Sequence, residues 1–479
     1  MFTITEKYSY DDVLLVPAAS EVLPDEAQTR VRLVRDLYIN IPIISAAMDT
    51  VTEEQMAIAM ALRGGVGVIH RNLSPKDQAK QVVHVKRYLN WVIHAPFTIT
   101  ADATMKDVKR TMKKHDVRGL PVVDDAGKLL GIITGRDLRF VNNDEQKVST
   151  FMTKDVITVP VEITPERAYE MFGKHRIEKL PVVDKDGTLL GLITFKDLQK
   201  REENPDAAVD SDGRLLVGAA ISPSDWQVRV PMLLEAKCDF VVFDTAHGAA
   251  KSVLEALRAL REAYPQMPVI AGNVATAPTA KLLIDAGADA IKVGVGPGSI
   301  CTTRVVSGVG YPQFSAVVEC AEVAQAHDVP CIADGGIKYS GDIAKAIGAG
   351  ASCVMLGNML AGLKEAPGDE IIFEGRIFKQ YRGMGSMGAI ASGSGDRYQM
   401  RKEEKPVPEG VEGRVPYKGE AVNYLHVLVS GLKKGMGYTG CKDLESLRNY
   451  KQFVKITQGG LVESHVHNVS VTKESPNYS

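Results

Sequence analysis

Eight short apolar runs separated by helical stretches constrain the fold of this 479-residue chain more than any other feature. Patterns typical of helices lie between the later runs, for example at 277–286 and 341–347. Regular alternation of strands with helices favours parallel βα units, and eight such units predict an α/β fold, a (β/α)8 TIM barrel. The runs occupy residues 41–45, 66–70, 215–219, 240–244, 268–273, 290–294, 330–334 and 352–357.

An internal repeat interrupts this pattern after the second run. Residues 115–138 recur with small changes at 175–198, and each copy predicts a strand, a turn, a second strand and a helix. Thr134 and Thr194 are the candidate N-caps of these helices. Two copies are too few for a solenoid. The pair resembles a tandem CBS (Bateman) module, which commonly binds adenine nucleotides, and a structural spacer is the alternative.

The predicted domain limits follow from the position of the repeat. We expect residues 1–91 and 204–479 to form the barrel. The inserted module is expected at 92–203, with its two halves at about 92–147 and 148–203. A helical stretch precedes each copy of the repeat, at 105–115 and at 165–175.

Composition excludes several classes of protein. A formal net charge of -2 carries no nucleic-acid footprint, and no apolar run is long enough to cross a membrane. The N-terminus lacks the apolar core of a signal peptide. Six scattered cysteines without paired spacing argue against a disulfide framework or a zinc site. We therefore expect a cytoplasmic protein with no membrane and no nucleic-acid partner.

Cys301 is the most suggestive single residue. It follows the sixth apolar run, within a segment that contains three spaced glycines, Gly294, Gly296 and Gly298. Glycines let a ligand or an ion approach the backbone closely. A thiol at such a position is suited to nucleophilic attack. The alternative is a small buried side chain in a turn, because free cysteines are often buried.

Polar or glycine-rich clusters end several of the other runs. Catalytic groups of a barrel lie at the carboxyl ends of its strands, so we expect these clusters to share one rim. Asp334 is suited to accept hydrogen bonds from a ribose diol, and glycine turns that lead into helices suit a phosphate. The clusters are at Asp244, Gly272-Asn273, Asp334-Gly335-Gly336 and Gly357-Asn358.

Several ordered motifs along nearly the whole chain resemble the IMP dehydrogenase family, which also contains GMP reductase. They lie at 10–17, 45–50, 296–304, 333–340, 381–386, 396–398 and 412–419. The resemblance implies oxidation of IMP at the purine C2 by NAD, followed by hydrolysis of a covalent intermediate to XMP, as in guanine nucleotide biosynthesis. It also implies a mobile flap at about 386–420, and a homotetramer that could pair into octamers.

The resemblance also implies roles for individual residues. Cys301 matches the nucleophile, Thr303 and the flap pair Arg397 and Tyr398 match the groups that activate water, and Glu409 matches a purine contact able to relay protons. The other implied substrate contacts are Ser299, Asp334, Gly335, Gly336, Gly357, Asn358, Tyr381, Met384 and Gly385. The implied NAD contacts are Asp244, Asn273, Gly294 and Gly296. The implied potassium ligands are Gly296, Gly298 and Cys301, with Glu463, Ser464 and His465 of a neighbouring subunit.

The cysteine loop does not separate the two activities of the family. Arg397 and Tyr398 favour the dehydrogenase, and so does the absence of an acidic residue between 383 and 395. Tyr311 resembles the reductase instead. Thr245-Ala246 and Asn358 depart from the residues that dehydrogenases usually carry. GMP reductase, which converts GMP to IMP with NADPH, and a catalytically silent nucleotide sensor remain the alternatives. The expected regulatory ligands of the CBS module are purine nucleotides such as ATP or GTP.

Overall fold

The computed structural model describes residues 4–89, 91–94, 96–394 and 407–472. The chain divides into two compact units. One consists of Met1–Tyr88 together with Asp206–Ser479, and the other of Leu89–Pro205. The limits expected from the repeat, 92 and 203, lie slightly inside those of the second unit.

Within the described residues, eight parallel strands of the first unit close into a barrel. Each strand is rich in Val, Ile, Ala or Phe and is buried along almost its whole length, as expected for strands covered on both faces. The predicted TIM barrel is therefore confirmed. The strands are β1 (Ile43–Ser45), β2 (Val66–Ile69), β3 (Val217–Ile221), β4 (Phe240–Asp244), β5 (Val269–Val274), β6 (Ala290–Val293), β7 (Cys331–Asp334) and β8 (Cys353–Leu356).

The third strand begins two residues later than the sequence suggests. The run predicted at 215–219 starts with Leu215 and Leu216, which are buried but precede β3. Leu215 pairs antiparallel with Val209, and the Leu216 N–H donates to the Ala208 carbonyl. The apolar character of Leu215 and Leu216 therefore misled the prediction, because these two leucines belong to the segment that leads into the strand.

Helices cover the outside of the barrel. The two predicted at 277–286 and 341–347 are present, at Ala277–Asp285 and Ser340–Gly348. The barrel helices are α1 (Glu54–Leu62), α2 (Pro75–Tyr88), α3 (Trp226–Glu235), α4 (Lys251–Ala263), α5 (Ala277–Asp285), α6 (Gln313–Ala326), α7 (Ser340–Gly348) and α8 (Ala421–Thr439). Shorter helices lie at Thr303–Ser307, Asn358–Ala361, Met387–Ala389, Leu444–Tyr450 and Gln458–Glu463.

Short sheets outside the barrel order the segments around it. Val13–Leu15 pairs with Phe453–Lys455, and Val31–Val34 pairs with Leu37–Ile39. A three-stranded antiparallel sheet follows the barrel and carries Tyr381 in its middle strand. Its strands are Glu370–Phe373, Arg376–Arg382 and Glu412–Pro416.

The second unit contains two similar halves, each with its own apolar core. One half has the strands Ile99–Thr100, Gly119–Val123 and Leu129–Thr134, and the other has Val92–His94, Lys179–Val183 and Leu189–Thr194. The two predicted preceding helices occupy Met105–His115 and Pro165–His175. Thr104 and Thr164 cap them through side-chain hydrogen bonds.

The two copies differ in their last element, which the sequence predicts to be a helix in both. Thr194 caps a helix over Phe195–Glu202. Thr134 bonds the Asp137 carboxylate, yet only a 3-10 turn at Asp137–Phe140 follows. The prediction of a helix after Thr134 was therefore wrong. Gly135 stands where the second copy has Phe195, and a valine and two asparagines follow the turn, so the local helix propensity is low.

Among the residues that the structure describes, none of the helices combines the length and the apolar character needed to cross a membrane.

One buried glycine offers a test of the barrel packing. Gly218 of β3 pairs with Phe240 of β4, and a Cβ at Gly218 would lie 2.4 Å from the Phe240 ring. We expect Gly218→Ala to lower the free energy of unfolding by about 1–3 kcal/mol, since overpacking strains a dense core. Urea denaturation followed by circular dichroism measures the change.

The matched control is Gly341→Ala in α7, where nothing lies within 4 Å of an added Cβ. This variant should keep or gain roughly 0.5–1 kcal/mol, because alanine favours a helix over glycine. Equal stability of the two variants would contradict the packing described for β3.

Candidate active site

Cys301 lies in the loop that follows β6, at the carboxyl-terminal rim of the barrel. All six cysteines are among the described residues; five are buried and Cys301 is half-buried. Burial raises the pKa of Cys238 and of Cys353 to about 12, which keeps these thiols protonated. Cys301 is therefore the thiol that is open to chemistry, and the alternative of a buried filler does not apply.

A chain of side-chain hydrogen bonds leads away from this thiol. The Cys301 Sγ–H donates to Thr303 Oγ1 at 3.2 Å, and the Thr303 hydroxyl donates to Glu409 Oε2 at 2.6 Å. Glu409 is more than a hundred residues away in sequence. The sequence predicted all three residues, and the structure brings them into one line that could move a proton between the reacting centre and a carboxylate.

Backbone pairing holds Glu409 against the cysteine loop. Cys301 forms an antiparallel bridge with Gly410, and the Thr302 N–H donates to the Glu409 carbonyl at 3.0 Å. The Val411 N–H donates to the Ile300 carbonyl at 3.1 Å. The segment 409–411 therefore acts as a short strand beside Cys301.

The segment 383–386 lies on the other side of 409–411. The Gly383 N–H donates to the Val411 carbonyl, and the Glu409 N–H donates to the Gly385 carbonyl at 2.9 Å. A Cβ at Gly383 would lie 3.0 Å from the Ile300 carbonyl oxygen, so the close approach needs glycine. Met384, which is buried, and Gly385 thus lie within one layer of the cysteine loop; their contact with a base stays a prediction.

The predicted phosphate residues converge beside the cysteine loop. Tyr381 is buried, which raises its pKa well above the usual value, and its phenol hydrogen-bonds to the exposed Ser299. A Cβ at Gly357 would lie 3.2 Å from the Tyr381 hydroxyl oxygen. Asn358 begins the short helix after β8, directly next to Gly357. These groups offer hydroxyl and backbone donors of the kind that an anionic group requires.

Gly335 and Gly336 form the turn after β7. Both have positive φ, 89° and 79°, a conformation that glycine adopts without strain. A Cβ at Gly335 would lie 2.9 Å from the Pro297 side chain. The turn therefore lies against the cysteine loop, as the rim prediction requires.

A buried polar cluster connects four neighbouring strands. Lys292 of β6 donates to Asp244 Oδ1 at 2.9 Å, to Asn273 Oδ1 at 2.5 Å and to Asp334 Oδ2 at 2.5 Å. The Asn273 amide also donates to Asp334 Oδ2 at 2.9 Å and to the Gly294 carbonyl at 2.7 Å. The sequence predicted Asp244, Asn273 and Asp334 as site residues but missed Lys292. A lysine within an otherwise apolar buried run was the available signal.

The sequence analysis also missed two residues that contact the backbone around the loop glycines. Gln313 of α6 donates to the Val293 carbonyl at 2.8 Å and to the Asp334 carbonyl at 3.2 Å. Arg304 donates from Nε to the Val295 carbonyl at 3.2 Å, and its side chain covers Gly296. In the sequence, neither residue can be told apart from a polar side chain at the protein surface.

The predicted cation ligands fall into two groups. Gly296, Gly298 and Cys301 belong to the cysteine loop, where the Cys301 N–H donates to the Gly298 carbonyl at 3.1 Å. Glu463 ends the last helix, followed by Ser464, and His465 packs on the ring of Tyr339 within the same chain. Among the described residues, no His, Cys, Asp and Glu side chains form a group of three or more able to hold a metal ion. A potassium site lined by backbone carbonyls would not consist of such side chains.

Two predicted residues, Arg397 and Tyr398, lie outside the described residues. Their roles stay predictions.

Comparison with known proteins agrees over nearly the whole chain. The family described as "IMP dehydrogenase / GMP reductase domain" matches residues 7–467. Inosine-5'-monophosphate dehydrogenase of Halalkalibacterium halodurans is 54% identical over 476 residues, which is 99% of this chain and 98% of the relative. The enzyme of the same name from Aquifex aeolicus is 54% identical over 480 residues, with the same coverage of both chains.

Solved structures include a GMP reductase with the same fold. A cysteine-to-alanine variant of GMP reductase from Trypanosoma brucei, in complex with guanosine 5'-monophosphate, superposes with a TM-score of 0.90 at 42% identity. The match covers 98% of this chain and 99% of that chain. These matches agree with the hydrogen-bonded line from Cys301 to Glu409 and with the residues at the barrel rim. The chain belongs to the IMP dehydrogenase / GMP reductase family.

Proposed function

We propose that this chain oxidises IMP to XMP with NAD, a step in guanine nucleotide biosynthesis in the cytoplasm. The observation that carries the proposal is the line from Cys301 through Thr303 to Glu409 at the barrel rim. It supplies a nucleophile and a proton route side by side. The curated relatives at 54% identity carry the dehydrogenase name, which supports the same reaction.

In the first half of the reaction, the Cys301 thiolate attacks C2 of the purine. A sulfur–carbon bond forms, and the C2 hydrogen then leaves with its electron pair. NAD, when bound, accepts that hydride. The carboxylate of Asp244 and the amide of Asn273, at the rim beside Asp334, are suited to the hydroxyls of its ribose, so the residues present fit the cofactor.

In the second half, water attacks C2 and the sulfur–carbon bond breaks, which releases XMP and restores the thiol. The water must lose a proton, and Thr303 with Glu409 can pass it on. By family resemblance, Arg397 and Tyr398 of the flap activate this water.

The remaining rim residues hold the nucleotide. We assign the phosphate to Ser299, Gly336, Gly357, Asn358 and Tyr381. The ribose goes to Asp334 with Gly335, and the base to Met384 and Gly385. The cofactor side is completed by Gly294 and Gly296. Support comes from the convergence of these residues around the cysteine loop.

GMP reductase is the second candidate. The superposition on the trypanosomal reductase favours it, as does Tyr311, whose hydroxyl donates to Glu319 at 2.5 Å. Both reactions would use the same cysteine loop, so we take the proposed water-activating pair at 397–398 as the feature that separates them.

The first prediction concerns the reaction itself. IMP with NAD should produce NADH, seen as absorbance at about 340 nm, and XMP in equal amounts. GMP with NADPH should give no turnover. Consumption of NADPH in the second mixture, without NADH in the first, would make the chain a reductase. Silence in both would leave the nucleotide-sensor alternative.

Two variants divide the reaction into its halves. Cys301→Ala should lose turnover and the covalent adduct, about 10³-fold or more, because the nucleophile is gone. Arg397→Ala should still transfer hydride but slow the hydrolysis, so the purine adduct accumulates on Cys301 and is visible by intact-protein mass spectrometry. Equal loss of both halves would remove Arg397 from the water step.

We further propose that potassium binds the carbonyls of Gly296, Gly298 and Cys301, completed by Glu463, Ser464 and His465 of another copy in a homotetramer. Carbonyl oxygens suit a weakly hydrated monovalent cation. Pairing of tetramers into octamers is a further possibility of the same family resemblance.

The cation proposal predicts a dependence on the salt used. Turnover in potassium chloride should exceed turnover in lithium chloride at equal ionic strength by about tenfold or more, because lithium holds its hydration shell too strongly for such a site. Equal initial rates in the two salts would contradict the site.

The 92–203 module is proposed to bind purine nucleotides such as ATP or GTP and to regulate the barrel. Two halves of similar structure, each with a separate core, support a paired binding module. Calorimetry on the full chain with IMP present to occupy the active site should detect binding of ATP or GTP. No heat at millimolar nucleotide would remove the proposal and leave the spacer alternative.

A further inference from the structure

Lys292 is a charged side chain with almost no access to solvent. It lies in the middle of β6 and is 1% exposed. Its three bonds, to Asp244, Asn273 and Asp334, use all three N–H groups of an ammonium. No donor is left for a ligand, so Lys292 acts on the site through its partners.

The neighbouring strand provides the room for this side chain. Gly272 of β5 lies opposite Lys292 in the strand register, and a Cβ there would lie 2.6 Å from the Lys292 Cβ. The hydrogen bond from Asn273 to Asp334 closes the same network on the solvent side. Packing and hydrogen bonds thus fix the lysine in one position.

The charges of the cluster depend on each other. Two carboxylates approach one nitrogen, and without the ammonium they would repel each other in a buried site. Other titratable groups lie nearby. Tyr381 interacts electrostatically with Asp334 and with Cys301, and His247, after β4, is exposed.

We propose that Lys292 is a positioning residue that balances the charges of Asp244 and Asp334 and holds the two carboxylates at a fixed separation, and so couples the dinucleotide ribose site to the nucleotide ribose site. The inference rests on the proposed function in that Asp334 receives the IMP ribose and Asp244 the NAD ribose. It adds a residue that touches neither substrate.

The test compares Lys292→Met and Lys292→Gln with the unaltered full-length protein. Calorimetry gives the Kd for IMP at pH 6 and pH 8, and steady-state assays give the KM for NAD. Two close buried carboxylates without a cation between them cannot both stay charged as the pH falls, so binding should weaken more in acid. We expect the loss of IMP affinity to be roughly tenfold larger at pH 6 than at pH 8, with a parallel rise in the KM for NAD.

Lys86 provides the matched control. It is also buried, and it donates to Asp210 at 2.9 Å and to Asp239 at 2.8 Å, at the opposite rim of the barrel. Lys86→Met should lower the melting temperature, since it leaves buried carboxylates without their cation. It should leave the pH dependence of IMP binding as in the unaltered protein.

Each other outcome has a definite meaning. Equal loss of affinity at both pH values, or a change in IMP binding without one in the KM for NAD, would overturn the proposal. Failure of both Lys292 variants to fold would make the residue purely structural and would overturn it as well. If the unaltered protein neither binds IMP nor reduces NAD, the proposed function itself has failed, and this is seen before any variant is compared.

Discussion

Closure of a parallel barrel is the constraint on which the rest of this structure depends. Every strand must run in the same direction, so all eight carboxyl ends emerge on one rim. Groups that are distant along the chain, from Asp244 to Gly357, therefore meet without any long excursion of the backbone. The site inherits its rigidity from strands that are buried on both faces.

The sequence predicted this frame well because the signal is repeated eight times and each run is mostly apolar. It predicted that Cys301 and the rim residues lie together because most of them lie directly after a strand. It missed Lys292, Gln313 and Arg304, whose roles depend on partners from other strands or loops. It also predicted a helix after Thr134, where Gly135 lowers the helix propensity. Pattern reasoning thus worked where a signal was local and failed where three-dimensional contact decides.

The two ends of the chain segment that forms the second unit are joined to a stabilised part of the barrel unit. Lys86, near the end of α2, binds Asp210, which lies just after the chain returns. The Ala208 N–H donates to the Ala61 carbonyl at 2.8 Å, and the Asn40 amide donates to the Asp206 carbonyl at 2.8 Å. Contacts within the barrel unit therefore fix the residues where the chain leaves this unit and where it returns. Loop-closure entropy grows only slowly with length, so a long insertion at such a point costs little.

The pairing of Cys301 with Gly410 has a consequence for how the site can be switched off. The same backbone contacts hold the carboxylate of Glu409 near the thiol and anchor the described start of the 407–420 segment. Peeling this short strand away would take the proton acceptor from the thiol in the same movement. The Cys301 thiol and the Glu409 carboxylate therefore come together, or separate, with one and the same backbone pairing.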